Sequence, residues 1–272
     1  MRIYKPGETW NPSEFASILA IGDSWFWYPK NNVLQAVLEH RALKDDFRNI
    51  QMAGYNGAAI NQFVGAGKYA ATLQKELSPD ASKYYSAVMI SGGGNDAVDY
   101  KLALKADCNG LSVAKDCIDA DGLDGLVRGI SGSLGLMIHD IAWAFGKQDR
   151  MADVFIHGYD YSVPDGRCFS IAGLDIGGAW LKPALDGAKV AMDNMPLRTA
   201  ICALLIDEVN TTLARFDNPA LGVHYIDCRG VLRQDANYKD DWDNELHPTF
   251  SGFTKIVDQR WIPVLRSAGY AK

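Results

Sequence analysis

Residues Ile18–Pro29 read ILAIGDSWFWYP: an apolar run of strand length stops on Gly22-Asp23-Ser24, and four aromatics, Trp25, Phe26, Trp27 and Tyr28, follow at once. The run is apolar at successive positions, the pattern of a strand covered on both faces. Four further segments have the same character: FRNIQMAG (47–54), SAVMISG (86–92), ADVFIHG (152–158) and GVHYIDC (222–228). Helical patterns alternate with them. In 196–216, Leu197, Ala200, Ile201, Leu204, Leu205, Val209, Leu213 and Phe216 recur at three- and four-residue spacing, with Pro196 suited to the first turn. In 250–265, Phe250, Phe253, Ile256, Val257, Trp261, Val264 and Leu265 do the same, and Pro263 predicts a kink or an end. Strand and helix alternating over the whole chain predict an α/β fold, three layers deep, around a mostly parallel sheet of about five strands.

The connections are uneven. Residues 97–150 read as an elaborated insertion: first a polar loop, including CIDADGLDG, then one helix over LGLMIHDIAWAFG. DADGLDG lacks the spaced acceptors and closing Glu of a calcium loop and reads as a solvated acidic turn. A second irregular stretch, about 159–185, follows the fourth strand. Ligands of open α/β sheets bind beyond the carboxyl ends of the strands, so both stretches are candidate pocket walls.

Composition narrows the classes. The 272 residues carry a net charge of −6, the wrong sign for a nucleic-acid surface. No apolar run reaches transmembrane length, so no integral membrane association is expected, and the first residues, MRIYKPGETWNPSEF, do not read as a signal peptide. The five cysteines contain no Cys-x-x-Cys pair, which disfavours zinc. Cys108 and Cys117 flank a short polar loop; their spacing allows a local disulfide, which would place the protein in the periplasm or outside the cell, whereas free thiols there fit the cytoplasm.

Ser24 falls just past the first strand, where a catalytic group would face a crevice. A serine hydroxyl needs a base. Of five histidines, His40 and His139 fall in helical patterns and His157 and His224 in strands, while His247 stands in the polar turn DDWDNELHPTF before the last helix. Gly-Asp-Ser after the first strand, a glycine after the second, GGGND (92–96) after the third and His247-Pro248 before the last helix together resemble the SGNH (GDSL-type) hydrolases, in order and over nearly the whole chain. The resemblance implies the flavodoxin-like fold of that family and a serine esterase without a cofactor or metal, acting on a small-molecule, lipid or carbohydrate ester. It implies Ser24 as nucleophile and His247 as general base. The oxyanion donors would be the Ser24 and Gly57 N–H groups and the Asn95 amide, with Gly54 competing for the place of Gly57. Each such donor is worth roughly 3–4 kcal/mol.

One departure stands out. The family's Asp, three residues before the His, is Asn244 here, with Asp243 one further back. Asn244 can orient the imidazole through its amide oxygen; Asp243 or a backbone carbonyl are the alternatives. Asp23 and Asp96 are expected to hold their own turns by bonding backbone N–H groups. Trp25, Trp27, Tyr159 and Trp180 are the candidate substrate-binding aromatics, with Tyr161 a further one. At least two of the four aromatics 25–28 are expected merely to pack the first helix. Within the same chemistry, a carbohydrate O-deacetylase or an acyltransferase is open. From other classes, a metallophosphoesterase and an inactive binding protein on a hydrolase fold compete. The chain reads as one hydrolase domain over 1–272.

Overall fold

The computed structural model describes residues 2–8, 10, 12–45, 47, 49–96, 100–171 and 174–272. Six parallel strands form the main sheet: β1 (Ile3–Tyr4), β2 (Ile18–Gly22), β3 (Ile50–Gly54), β4 (Ala87–Ser91), β5 (Asp153–His157) and, last in the chain, Val223–Ile226. Between the last two, β6 (Phe169–Ile171) and β7 (Leu174–Gly177) make a separate antiparallel hairpin, so Val223–Ile226 is β8. All five expected strands are present. The sixth, β1, is a two-residue edge strand beside β3, too short to show any periodicity in sequence.

The strand order is β1-β3-β2-β4-β5-β8. After β2 the chain steps to one side to make β3, then returns to the other side to make β4. β2 is therefore the switch point of the sheet, and a crevice opens at its carboxyl end. Every residue of β2, β3 and β4 is buried, as strands covered on both faces must be.

The helices are α1 (Ser24–Trp27), α2 (Val33–Glu39), α3 (Ala70–Glu76), α4 (Pro79–Ser82), α5 (Tyr100–Ala103), α6 (Ala120–Gly146), α7 (Leu181–Gly187), α8 (Met195–Ala214), α9 (Phe250–Ile256) and α10 (Ile262–Ser267). α2 packs on α9; α6 packs on α8. Pro263 does not end the last helix: a π-helical turn over Val257–Trp261 carries α9 into α10, with the Ile262 N–H bonded to the Val257 carbonyl and Pro263 in the first turn of α10.

Two expectations for 97–150 fail. DADGLDG is not a turn. Asp119 caps α6 by accepting the Gly122 N–H at 2.8 Å, and the helix runs for 27 residues. Its many glycines hid it, but Ile130, Leu134, Met137, Ile141 and Phe145 bury one continuous stripe, and that packing outweighs weak propensity. Cys108 and Cys117 are buried free thiols, Cys108 Sγ lying 3.7 Å from the Cys117 carbonyl oxygen. The disulfide, and with it the argument for export, is absent.

Candidate active site

Gly22 ends β2 at φ +154°, and a Cβ there would lie 2.2 Å from the Ser91 carbonyl oxygen. Only glycine lets β2 run this close to β4 before the chain turns. Asp23 then caps α1: its Oδ1 accepts the Trp25 N–H at 3.0 Å and the Ser91 hydroxyl at 2.6 Å, and its Oδ2 accepts the Tyr159 hydroxyl at 2.6 Å. It is buried and fully occupied, which fits the expected turn-holding part. Ser24 follows as the first residue of α1.

The Ser24 Oγ lies 2.7 Å from His247 Nε2, and His247 Nδ1 lies 3.0 Å from Asn244 Oδ1. Asn244 Oδ1 also accepts the backbone N–H groups of Leu246 (2.9 Å) and His247 (3.0 Å), while its Nδ2 donates to the Tyr28 hydroxyl at 2.9 Å. Those bonds fix which end of the amide faces the ring. Nδ1 must then carry the proton, and Nε2 offers its lone pair to the serine O–H. Of the three ways to orient the ring, the structure thus has Asn244; Asp243 instead accepts from Tyr28 Oη (2.7 Å) and from Lys30 Nζ (2.6 Å). Burial pushes the His247 imidazole down to about 3, the Asp243 carboxylate opposing it.

Two cavities meet at Ser24. The inner one, about 490 Å³ with its mouth, is bounded by Trp25, Tyr159, Ser162, Ile206, Val209 and Trp242. The outer one, about 450 Å³, is bounded by Tyr28, Pro29, Gly57, Phe169, Trp180 and His247. Ser24, Asn95 and Leu246 line both. Gly57 sits in the turn after β3 at φ +73°, exposed on the outer cavity. Its competitor Gly54 belongs to the sheet, paired with Gly22, and lines neither cavity. The Asn95 Nδ2 donates to the Ala58 carbonyl at 3.1 Å, tying the turn after β4 to the turn after β3. Asp96 accepts from the N–H groups of Ile60 (2.9 Å) and Gly93 (3.3 Å), again holding a turn, and burial raises its pKa.

The aromatic run divides by helical geometry. Trp25 walls the inner cavity and donates its Nε1–H to the Leu246 carbonyl at 2.9 Å. Tyr28, one turn on, stacks on His247 with ring centroids 4.0 Å apart and planes 6° apart. Phe26 is core. Trp27 lines neither cavity, contrary to expectation: residues two apart on a helix point in nearly opposite directions, and it lies partly buried under Lys5. Trp180 presents its edge to His247 at 6.0 Å. Tyr161 lines neither cavity and donates to Asp207. The 159–185 stretch walls both cavities through Tyr159, Ser162, Phe169 and Trp180, whereas the described part of 97–150 reaches neither and lines a separate groove with α7. Sequence reasoning did not single out Lys30, Leu246, Ser162 or Phe169, and gave Tyr28 no site of its own; none carries a motif, and only the folded chain brings them here.

No family model and no curated protein matches the sequence. Among solved structures, the chain superposes on a lipase from a goat rumen metagenome at a TM-score of 0.57 and 13% identity, covering 94% of this chain and 99% of that one. The chain shares with that lipase an α/β fold built on a mostly parallel sheet. Weaker likenesses include the aryl esterase of M. smegmatis (TM-score 0.49, 15% identity, 94% and 99% covered) and a GDSL-like lipase of Bacteroides ovatus (0.47, 11%, 95% and 55%). Among the described residues, no group of three or more His, Cys, Asp or Glu could hold a metal ion, and no helix is long and apolar enough to cross a membrane.

Proposed function

We propose that this chain is a serine hydrolase of the SGNH (GDSL-type) fold that cleaves carboxylic esters through an acyl-enzyme, with residues 1–272 forming one hydrolase domain. The observation that carries the reading is the hydrogen-bonded line Ser24–His247–Asn244 at the junction of two cavities. In this mechanism His247 Nε2 takes the Ser24 proton as Oγ bonds to the ester carbonyl carbon. The tetrahedral oxyanion is met by the N–H groups of Ser24 and Gly57 and by the Asn95 amide. Collapse breaks the C–O bond, and the imidazolium returns its proton to the leaving alcohol. Water, deprotonated by His247, then releases the acid and restores Ser24.

Deep burial keeps His247 neutral, so it is ready to accept a proton even below neutral pH. The inner cavity is walled mainly by apolar and aromatic side chains and suits an apolar group of the ester. Phe169 and Trp180 on the outer cavity offer flat surfaces for an aryl or sugar ring, which keeps a carbohydrate O-deacetylase as the second reading. The superposed rumen protein is described as a lipase, which agrees with ester chemistry. A panel of p-nitrophenyl esters of graded acyl length, run beside acetylated sugars, tests the reading. Wild type should hydrolyse at least one ester and take a fluorophosphonate label on Ser24; Ser24→Ala should do neither while unfolding at the same temperature. Hydrolysis by Ser24→Ala above a few per cent of wild type would overturn the mechanism.

A further inference from the structure

An amide on Nδ1 orients an imidazole but brings no charge to the imidazolium that forms during proton transfer. The chain has a carboxylate one step further out. Asp243 Oδ2 accepts the Tyr28 O–H at 2.7 Å, the Tyr28 oxygen accepts Asn244 Nδ2–H at 2.9 Å, and Asn244 Oδ1 faces His247 Nδ1 at 3.0 Å. Asn244 is fully buried and His247 nearly so, so water has little access to the inner end of this line. Building on the serine-hydrolase reading, we propose that Asp243 supplies the charge of this site at one remove, as a positioning residue acting on His247 through Tyr28 and Asn244, with Lys30 attenuating it.

The direction of every bond follows from Asp243. A carboxylate only accepts, so the phenol must point its single hydrogen at Asp243, leaving its oxygen free to accept from the Asn244 amide. The amide then has its oxygen toward His247. Low local dielectric strengthens such chains, each bond polarising the next. The surroundings leave Asp243 as the charge that acts. From the β2 end come Asp23, occupied by Trp25, Ser91 and Tyr159, and Lys30. From the segment before β6 comes Arg167, paired with Asp165 and bonded to the Trp242 and Asp243 carbonyls. From the turn of His247 itself come Asp241, paired with Lys255 of α9, and Glu245, whose carboxylate accepts four backbone N–H groups. The Asp243 carboxylate raises the His247 pKa against burial. The Lys30 side chain is 48% exposed, so its counter-charge is shared with solvent.

The test is the pH profile of kcat/KM on p-nitrophenyl acetate for Asp243→Asn, Lys30→Met and Tyr28→Phe. A carboxylate near an imidazole favours its protonated form. Removing that charge in Asp243→Asn should therefore move the acidic limb to lower pH and lower kcat on the order of 10–100-fold, short of the ~10⁴ lost when a directly bonded triad Asp is neutralised. Removing the cation in Lys30→Met should move the limb the opposite way, to higher pH. Tyr28→Phe keeps the stacked ring and breaks the chain; combined with Asp243→Asn it should cost no more than the worse single change, as coupled residues do. Limbs that stay put or shift in one direction, or losses that multiply in the double variant, would overturn the proposal. If Asp243→Asn does not fold, the sign of the Lys30→Met shift decides. An active Ser24→Ala would sink the underlying reading instead; an inactive Ser24→Ala with unmoved limbs would sink only this inference.

Discussion

Replacing Asn244 by Asp looks, from the family pattern alone, like the restoration of a triad, yet the structure makes it a damaging change on its own. Tyr28 has a single hydroxyl hydrogen, already donated to Asp243. In Asn244→Asp an acceptor oxygen takes the place of the Nδ2 that now donates to the Tyr28 oxygen. Two carboxylates would then compete for one hydrogen in a site where residue 244 is fully buried. Leaving one buried acceptor unsatisfied costs about 1–3 kcal/mol. At about 2–4 °C per kcal/mol for a chain near this size, the unfolding temperature should fall by roughly 2–12 °C. The double variant Asp243→Asn/Asn244→Asp reverses the polarity of the chain. Tyr28 now donates inward to the new carboxylate and accepts from the new amide at 243, so every group is satisfied again. It should recover most of the lost unfolding temperature and exceed the kcat of Asn244→Asp by about tenfold or more, a barrier difference of about 1.4 kcal/mol. Thermal unfolding by circular dichroism and steady-state hydrolysis of p-nitrophenyl acetate measure both. A single Asn244→Asp variant as stable as wild type, with nothing gained in the double, would refute the hydrogen-bond directions assigned here.

Further predictions rest on other parts of the molecule. Gly22→Ala should fail to fold or lose about 3 kcal/mol or more, because the new Cβ meets the Ser91 carbonyl at 2.2 Å; a wild-type urea midpoint would contradict this. Glu245→Gln replaces an acceptor of four backbone N–H groups, including that of Trp180, by an amide that presents its own N–H to some of them; it should destabilise by about 2 kcal/mol and raise KM more than it lowers kcat, as Trp180 loosens on the outer cavity. His157 and His247 are both held below the ordinary imidazole value by burial, so between that value and their folded values the unfolded chain binds more protons than the native state. Stability should therefore rise with pH through this window and fall as pH drops below about 6.5, at about 1.4 kcal/mol per pH unit for each group, and the slope should shrink in His247→Asn. Cys108 and Cys117 are buried, and burial raises the Cys108 thiol to about 12; both should resist a thiol reagent until the protein unfolds, and a reductant should leave the unfolding temperature unchanged.

Much of this architecture is written locally. Five strands were legible because each is a short, mostly apolar run: β2, β3 and β4 bury every residue and β5 all but Asp153, while β8 leaves His224 and Tyr225 half-buried; α8 was legible because its apolar residues keep a helical period. Glycine-rich α6 was half hidden, since its start depends on one Asp cap and its persistence on a buried stripe. β1 and the β6–β7 hairpin are too short for a period to register.

The sequence by itself determined which residues stand at strand ends: Ser24 after β2, Gly57 after β3, Asn95 after β4 and His247 before α9. Those positions follow from local breaks in apolar patterning, and local breaks are visible in one dimension. Only the tertiary structure decided which neighbours complete the site. The strand order puts β3 and β4 on either side of β2, so three distant turns converge on one crevice. The backbone of the 241–248 turn decides that Asn244, and not Asp243, meets the imidazole, and the pitch of the single turn α1 decides that Trp25 and Tyr28 face the site while Trp27 does not. Sequence spacing carries no direction for a side chain in a turn or on so short a helix; direction comes from the hydrogen bonds and packing that the rest of the chain supplies.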